Sequence, residues 1–155
     1  MEKITKHIKI RIPSEEAFQT FLKEFNEWWP KEYTWSQDKL KEIRIGQKKG
    51  DLCTEIGPNG FRCDWGHIIE IVKNEKIKLK WQIGPHREPV PDSAKSSDLL
   101  IEFRENNEST TALKLEHSNF EKHGGQAENY RDMMNGNQGW DYILFRFKEY
   151  CEKSQ

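Results

Sequence analysis

Between residues 40 and 117 the chain contains six segments in which apolar and charged residues alternate, and this pattern constrains the fold most. A period of two places the two sets of side chains on opposite faces of a β-strand. Turn residues separate most of the segments. The pattern therefore predicts an antiparallel sheet that is covered on one side only. The predicted strands are 40–46, 51–56, 61–72, 77–83, 98–104 and 109–117.

The Gly-Pro-Asn-Gly turn at 57–60 predicts how the second and third of these strands pair. A pairing of Ile56 with Phe61 places Glu55 across from Arg62 on the charged face, a favourable exposed pair. We therefore assign Glu55 and Arg62, with Glu42 and Arg44, to a solvated outer face. The same register predicts an inner face formed by Leu52, Thr54, Ile56, Phe61, Cys63, Trp65 and His67.

The later strands follow the same rule. An odd-length turn near 73–76 sets His67 opposite Trp81, and an Asn-Asn-Glu turn at 106–108 joins the last two strands. The predicted inner residues of these strands are Ile77, Leu79, Trp81, Ile83, Leu99, Ile101, Phe103, Thr111, Leu113, Leu115 and His117. The predicted outer residues are Lys78, Lys80, Gln82, Glu102, Arg104, Lys114 and Glu116.

Two regions flank the predicted sheet. A half-buried strand at 4–12 precedes a helix with Ser14 as its N-cap, which ends before the aromatic cluster at 28–30. Its buried stripe consists of Ala17, Phe18, Phe21, Leu22 and Phe25. Near the other end, a segment with Tyr130, Met133 and Met134 leads into a long helix. The buried positions of that long helix are Trp140, Ile143, Leu144, Phe147 and Cys151.

Composition excludes several functional classes. The chain has 155 residues and is expected to form one domain, 1–155. Its 25 basic and 26 acidic residues balance, which argues against nucleic-acid binding. No apolar run suits a membrane span, and the N-terminal residues lack the apolar core of a signal peptide, so we expect a cytoplasmic protein. Three cysteines without a C-x-x-C motif suggest free thiols and no structural zinc.

The element order and several short motifs resemble the START-like (SRPBCC) superfamily. Within it, the chain is similar to the bacterial single-domain branch named after the C-terminal domain of the heat-shock protein 90 ATPase activator. The matching segments are Trp28-Trp29-Pro30, Tyr33-Thr34-Trp35-Ser36, 60–66, Lys80-Trp81-Gln82-Ile83, Leu115-Glu116-His117 with Phe120, and Gly139-Trp140. The resemblance implies an α+β helix-grip fold. In that fold a curved antiparallel sheet of about seven strands wraps around a long C-terminal helix, and short helices follow the first strand.

The resemblance also implies a deep apolar cavity between the sheet and the C-terminal helix. Trp65 and Trp81 are the predicted walls, since an indole combines a large apolar body with one N–H donor. His67 and His117 are the candidate polar anchors, because a neutral imidazole both donates and accepts hydrogen bonds. The remaining candidate ligand-binding residues are Tyr130, Met134 and Trp140. Ordinary core packing is the alternative for all of these residues, and the loop 84–97 is either a lid or a stiff edge cover.

Three functions remain open at this point. The first is non-catalytic binding of a small hydrophobic molecule, lipid-like or polyketide-like. The second is a polyketide cyclase or hydrolase in which His67 or His117 serves as the acid–base group. The third is a chaperone-accessory interaction module, which requires an exposed apolar patch. The sequence contains no metal-ligand cluster, nucleophile motif or phosphate loop, so we expect no cofactor, metal or catalytic residue; a homodimer is left open.

Overall fold

The computed structural model describes residues 1–107 and 109–153 of the chain. It contains one antiparallel sheet of seven strands in the order β1-β7-β6-β5-β4-β3-β2. The strands are β1 (Ile4–Ile10), β2 (Glu42–Arg44), β3 (Leu52–Ile56), β4 (Arg62–Val72), β5 (Lys76–Trp81), β6 (Ser97–Asn107) and β7 (Thr110–Ser118). The helices are α1 (Ser14–Lys23), α2 (Phe25–Trp28), α3 (Ala127–Asn135) and α4 (Trp140–Lys153). A curled sheet with a long C-terminal helix confirms the predicted α+β helix-grip fold.

Helix α4 is held by an aromatic core that joins it to α1 and α2. The ring of Phe147 is fully buried and lies 5.1 Å from Phe21 and 4.8 Å from Trp28, measured between ring centroids. Phe21 in turn meets Phe103 of β6 edge-on at 5.7 Å. These contacts confirm the predicted apolar stripes of the first and last helices, because both stripes meet in one core.

The start of α1 differs from the prediction. The helix begins at Ser14 itself, and Pro13 occupies the preceding cap position, where its carbonyl accepts a hydrogen bond from the Ala17 N–H at 2.9 Å. The Ser14 N-cap was therefore wrong by one residue. The helical path also continues into the short α2, which contains Trp28, and ends before Pro30.

The pairing of β5, β6 and β7 follows the prediction. Leu99 lies opposite His117, Ile101 opposite Leu115, and Leu79 opposite Leu99. All of these residues are buried, whereas the outer face carries ion pairs such as Lys80–Asp98 at 2.7 Å. The turn predicted at 106–108 was wrong for Asn106 and Asn107, which belong to β6, and Glu108 lies outside the described residues.

The predicted register of β3 and β4 was wrong. Ile56 pairs with Arg62 and Glu55 with Cys63, one residue away from the expected pairing. A one-residue slip exchanges the two faces of a strand. Leu52 is accordingly 48% exposed, whereas Glu55 is only 1% exposed.

A β-bulge shifts the register again within β4. Thr54 pairs with Asp64 and Cys53 with Gly66, so that Trp65 is the extra residue between the two pairs. A Cβ atom on Gly66 would lie 2.5 Å from the Lys80 carbonyl oxygen, so only glycine fits this close approach of β4 to β5.

The bulge determines where His67 points. Gly66 lies opposite Trp81, and His67 lies opposite Lys80 on the outer face of the sheet. Its Nδ1 forms a 2.9 Å hydrogen bond with Oε1 of Gln82, another outer-face residue. The predicted pairing of His67 with Trp81, and with it the inward direction of His67, was wrong.

Candidate functional site

A cavity of about 280 Å³ lies between the sheet and the segment that joins α3 to α4. We call it the indole cavity, because four tryptophans line it. Its volume is close to the lower end of the range of about 300–1,000 Å³ typical of small-molecule sites. The lining residues are Trp29, Tyr33, Thr34, Trp35, Ile43, Glu55, Trp65, Trp81, Ile83, Gly84, Pro85, Arg87, Tyr130, Met133, Met134, Gln138, Gly139 and Ile143.

The indole of Trp65 is held by stacked rings on the α2 side. Its ring lies nearly parallel to Phe25, at 5.3 Å and 14°, and to Trp29, at 6.1 Å and 18°. It meets Trp81 edge-on at 5.9 Å. Trp65 is 3% exposed, and its Nε1 is buried without a hydrogen-bond partner among the described residues. An unpaired donor that is buried in this way costs stability.

Trp81 and Tyr130 form a hydrogen-bonded pair at another wall of the cavity. The Trp81 Nε1 donates to the Tyr130 hydroxyl at 2.7 Å, and that hydroxyl donates to the Ile83 carbonyl oxygen at 2.7 Å. Burial raises the pKa of the Tyr130 hydroxyl, so it stays neutral. Since both groups are satisfied, this pair positions the cavity wall and joins α3 to the sheet.

Glu55 is the buried charged group of the cavity. Its Oε1 accepts a hydrogen bond from the Trp35 N–H at 3.0 Å, and its Oε2 accepts one from the Ser36 N–H at 2.7 Å. These two bonds hold the segment after α2 against β3. The assignment of Glu55 to a solvated outer face was therefore wrong, because the register of β3 turns its side chain inward.

The loop 84–97 forms part of the rim of the cavity. The Arg87 guanidinium donates to the Tyr33 carbonyl oxygen at 2.7 Å, and the Trp35 Nε1 donates to the Arg87 carbonyl oxygen at 2.6 Å. The Tyr33 hydroxyl donates to the Gln138 carbonyl oxygen at 2.6 Å. Three segments distant in sequence thus meet at the rim. The role of the loop as a lid stays a prediction.

The predicted site residues separate into two groups. Trp65, Trp81, Tyr130 and Met134 line the cavity, and their contact with a ligand stays a prediction. His67 is on the outer face. His117 and Trp140 are fully enclosed behind the lining residues, with 0% and 2% exposure.

His117 takes part in a buried hydrogen-bond chain. The Trp140 Nε1 donates to His117 Nδ1 at 3.0 Å, which assigns the proton of the neutral ring to Nε2. That nitrogen lies 2.7 Å from the Ser97 Oγ, which also lies 2.7 Å from His123 Nε2. Burial and the neighbouring His123 hold the pKa of His117 well below its ordinary value. The residue is therefore a satisfied core histidine that joins α4 to the sheet.

Sequence reasoning missed Glu55, Trp29, Trp35 and Arg87 as lining residues. Trp29 and Trp35 lie in segments 28–30 and 33–36, which carry the family resemblance. That resemblance could have identified both as site residues. Nothing in the local sequence distinguished Glu55 from an outer-face carboxylate, because its position depends on the strand register. Within residues 1–107 and 109–153, no cluster of three or more His, Cys, Asp or Glu side chains could hold a metal ion.

The fold and the apolar cavity define a helix-grip protein of the START-like class. A family model described as activator of Hsp90 ATPase homolog 1-like protein matches residues 11–152. The chain therefore belongs to this family. No curated protein matches it.

Solved structures with the same fold include three informative examples. One is described as an anthrahydroquinone-γ-pyrone synthase, Txn09, in a complex; it is 23% identical, covers 96% of each chain and has a TM-score of 0.68. CalC from Micromonospora echinospora, described as a self-sacrificing resistance protein, is 22% identical over 98% of this chain and 95% of its own, with a TM-score of 0.67. The Aha1 dimer from Colwellia psychrerythraea is 16% identical over 98% and 97%, with a TM-score of 0.65. At these identities the likeness shows the fold.

The described part of the chain contains no helix that is both long enough and apolar enough to cross a membrane.

Proposed function

We propose that this protein binds a small hydrophobic molecule in the indole cavity. The observation that carries the proposal is the cavity itself, a space of about 280 Å³ with an aromatic wall and few polar groups. Sites for small molecules typically combine an apolar lining with a small number of polar anchors. Here the Glu55 carboxyl group, which lines the cavity, is the candidate anchor.

A catalytic role through His67 or His117 has less support. His67 lies on the outer face, and both ring nitrogens of His117 are used by Trp140 and Ser97. A general base must lie within hydrogen-bond reach of the proton it removes. One of the similar solved structures is described as a synthase, so an enzymatic function is the alternative. Neither His67 nor His117 is placed to serve as the acid–base group of such an enzyme.

An interaction module is the remaining alternative. An interaction module requires an exposed apolar patch on the protein surface. The outer face of the sheet instead carries charged pairs, such as Lys114–Glu116 at 3.1 Å and Lys80–Asp98 at 2.7 Å. The Colwellia protein is described as a dimer, so a homodimer of this chain is a testable possibility. Analytical ultracentrifugation would measure the mass of this protein in solution.

The proposal is tested by titrating the protein with prodan, a neutral naphthalene dye whose emission depends on polarity. We expect a blue shift of the dye emission and quenching of tryptophan fluorescence. Met134 is half-buried and lines the cavity. The larger side chain of Met134→Trp should occupy part of the cavity and weaken dye binding by about tenfold, equivalent to ~1.4 kcal/mol.

His67→Phe is the matched control for this test. Both variants introduce an aromatic ring, but His67 lies on the outer face of the sheet, so His67→Phe should bind the dye like the wild type. Absence of dye binding to the wild type would refute the proposal. Equal binding by all three proteins would place the dye elsewhere and refute it as well.

A further inference from the structure

The charge of the indole cavity specifies its ligand more closely than its apolar lining does. We infer that the cavity takes a hydrophobic amine, whose protonated nitrogen pairs with the Glu55 carboxylate. This inference rests on the proposed function, since it names the class of molecule that would occupy the same cavity.

The first support is the condition of Glu55. The residue is 1% exposed and lines the cavity. Each of its two carboxyl oxygens accepts one backbone N–H. Within the described residues, no Lys, Arg or His nitrogen lies within 4.0 Å of it. A buried carboxylate without a cation is unusual, because burial of a charge is costly unless it is paired.

The second support is the aromatic character of the surrounding wall. Trp29, Trp65 and Trp81 line the same cavity as Glu55. The faces of indole rings attract cations, and aromatic enclosures are a common way to recognise ammonium groups. A carboxylate together with several indoles therefore suits a ligand with a positive charge on an apolar body.

Arg87, the one cationic side chain among the described residues that line the cavity, does not cancel this effect. Arg87 lies in an exposed part of the loop 84–97, and its guanidinium donates to the Tyr33 carbonyl oxygen at the rim. Solvent screens an exposed charge, whereas a buried charge acts through a medium of low dielectric. Glu55 therefore dominates the electrostatic potential inside the cavity, and the charge of Arg87 affects the entrance.

The test compares three naphthalene compounds that differ only in their polar group. We would measure, by isothermal titration calorimetry at pH 7, the affinities for 2-naphthylmethylamine, 2-naphthalenemethanol and 2-naphthoic acid. We expect the amine to bind about tenfold more tightly than the alcohol, and the acid to bind more weakly than either. In Glu55→Gln the preference for the amine over the alcohol should disappear.

Glu70→Gln is the matched control, since it removes the same charge from an exposed outer-face carboxylate that pairs with Lys76. It should keep the preference for the amine. If Glu55→Gln does not fold, the three affinities of the wild type still decide the question. Equal binding of amine and alcohol, or tighter binding of the acid, would overturn the inference and leave the proposed function standing. An amine preference that persists in Glu55→Gln would also overturn it. Binding of none of the three compounds would count against the proposed function itself.

Discussion

Trp81 donates a hydrogen bond of 2.7 Å from its Nε1 to the hydroxyl of Tyr130, which passes a second bond on to the Ile83 carbonyl oxygen. This pair joins β5 to α3 across the indole cavity. It also keeps the Trp81 donor satisfied in a place that water does not reach. The Tyr130 hydroxyl group therefore couples β5 to α3.

Removal of that hydroxyl should destabilise the protein. Tyr130→Phe leaves the Trp81 Nε1 and the Ile83 carbonyl without their partner, and we expect a loss of about 1–3 kcal/mol in the free energy of unfolding. Urea denaturation followed by circular dichroism measures it. Tyr33→Phe is the control, because its hydroxyl bonds Gln138 in an exposed position where water can replace it. Equal losses in both variants would contradict the special role of Tyr130.

The register of β3 can be tested with two neighbouring residues. Leu52 is 48% exposed and Cys53 is 0% exposed. We expect Leu52→Asp to change the free energy of unfolding by less than about 1 kcal/mol, as surface changes do. Cys53→Asp should cost more than about 3 kcal/mol, since it buries an unpaired charge. Thermal and urea unfolding of the two variants would compare them, and the reverse order of losses would restore the register expected from the sequence.

The contribution of α4 can be tested in the same way. Phe147 is fully buried against Phe21 and Trp28, whereas Phe145 is 54% exposed on the same helix. Phe147→Ala should lower the free energy of unfolding by about 3–5 kcal/mol, and Phe145→Ala by less than about 1 kcal/mol. Similar effects at both positions would mean that α4 packs on the sheet through another face.

The buried His117 predicts a loss of stability in mild acid. Its pKa is lowered in the folded protein, so the unfolded chain binds the proton more readily below the ordinary value of 6.5. The stability that depends on neutral His117 is therefore complete above pH 6.5 and is lost as the pH falls below it. The free energy of unfolding should therefore be lower at pH 5.5 than at pH 7.5. His123, whose pKa is also lowered by burial, acts in the same direction.

Urea unfolding at the two pH values would measure this change. His117→Gln should show a smaller loss between them than the wild type, and His7→Gln, at an exposed position of β1, should show the same loss as the wild type. Imidazole NMR signals offer a second measurement, since those of His117 should not titrate between pH 7.5 and 5.5. A His117 ring that becomes protonated near pH 6.5 would contradict the prediction.

The sequence by itself determined the kind of fold, because the signals involved are local. Alternation along β5, β6 and β7 was enough to assign their faces, because the period of two is unbroken over the paired residues 98–105 and 111–118. The spacing of Ile143, Leu144 and Phe147 was enough to place α4 on the core. The same patterns brought Trp65 and Trp81 to the inner side, where both line the cavity.

Only the tertiary structure decided the polar part of the site. The faces of Glu55 and His67 depend on the exact pairing of β3 with β4 and on the extra residue Trp65 in the bulge. A shift of one residue exchanges the faces of a strand. The local residue preferences of β3 and β4 do not distinguish the two registers. Packing against Cys53, Gly66 and Trp81 excludes it, since those contacts form only when distant strands meet. The buried carboxylate of the cavity is for that reason a property of the assembled sheet.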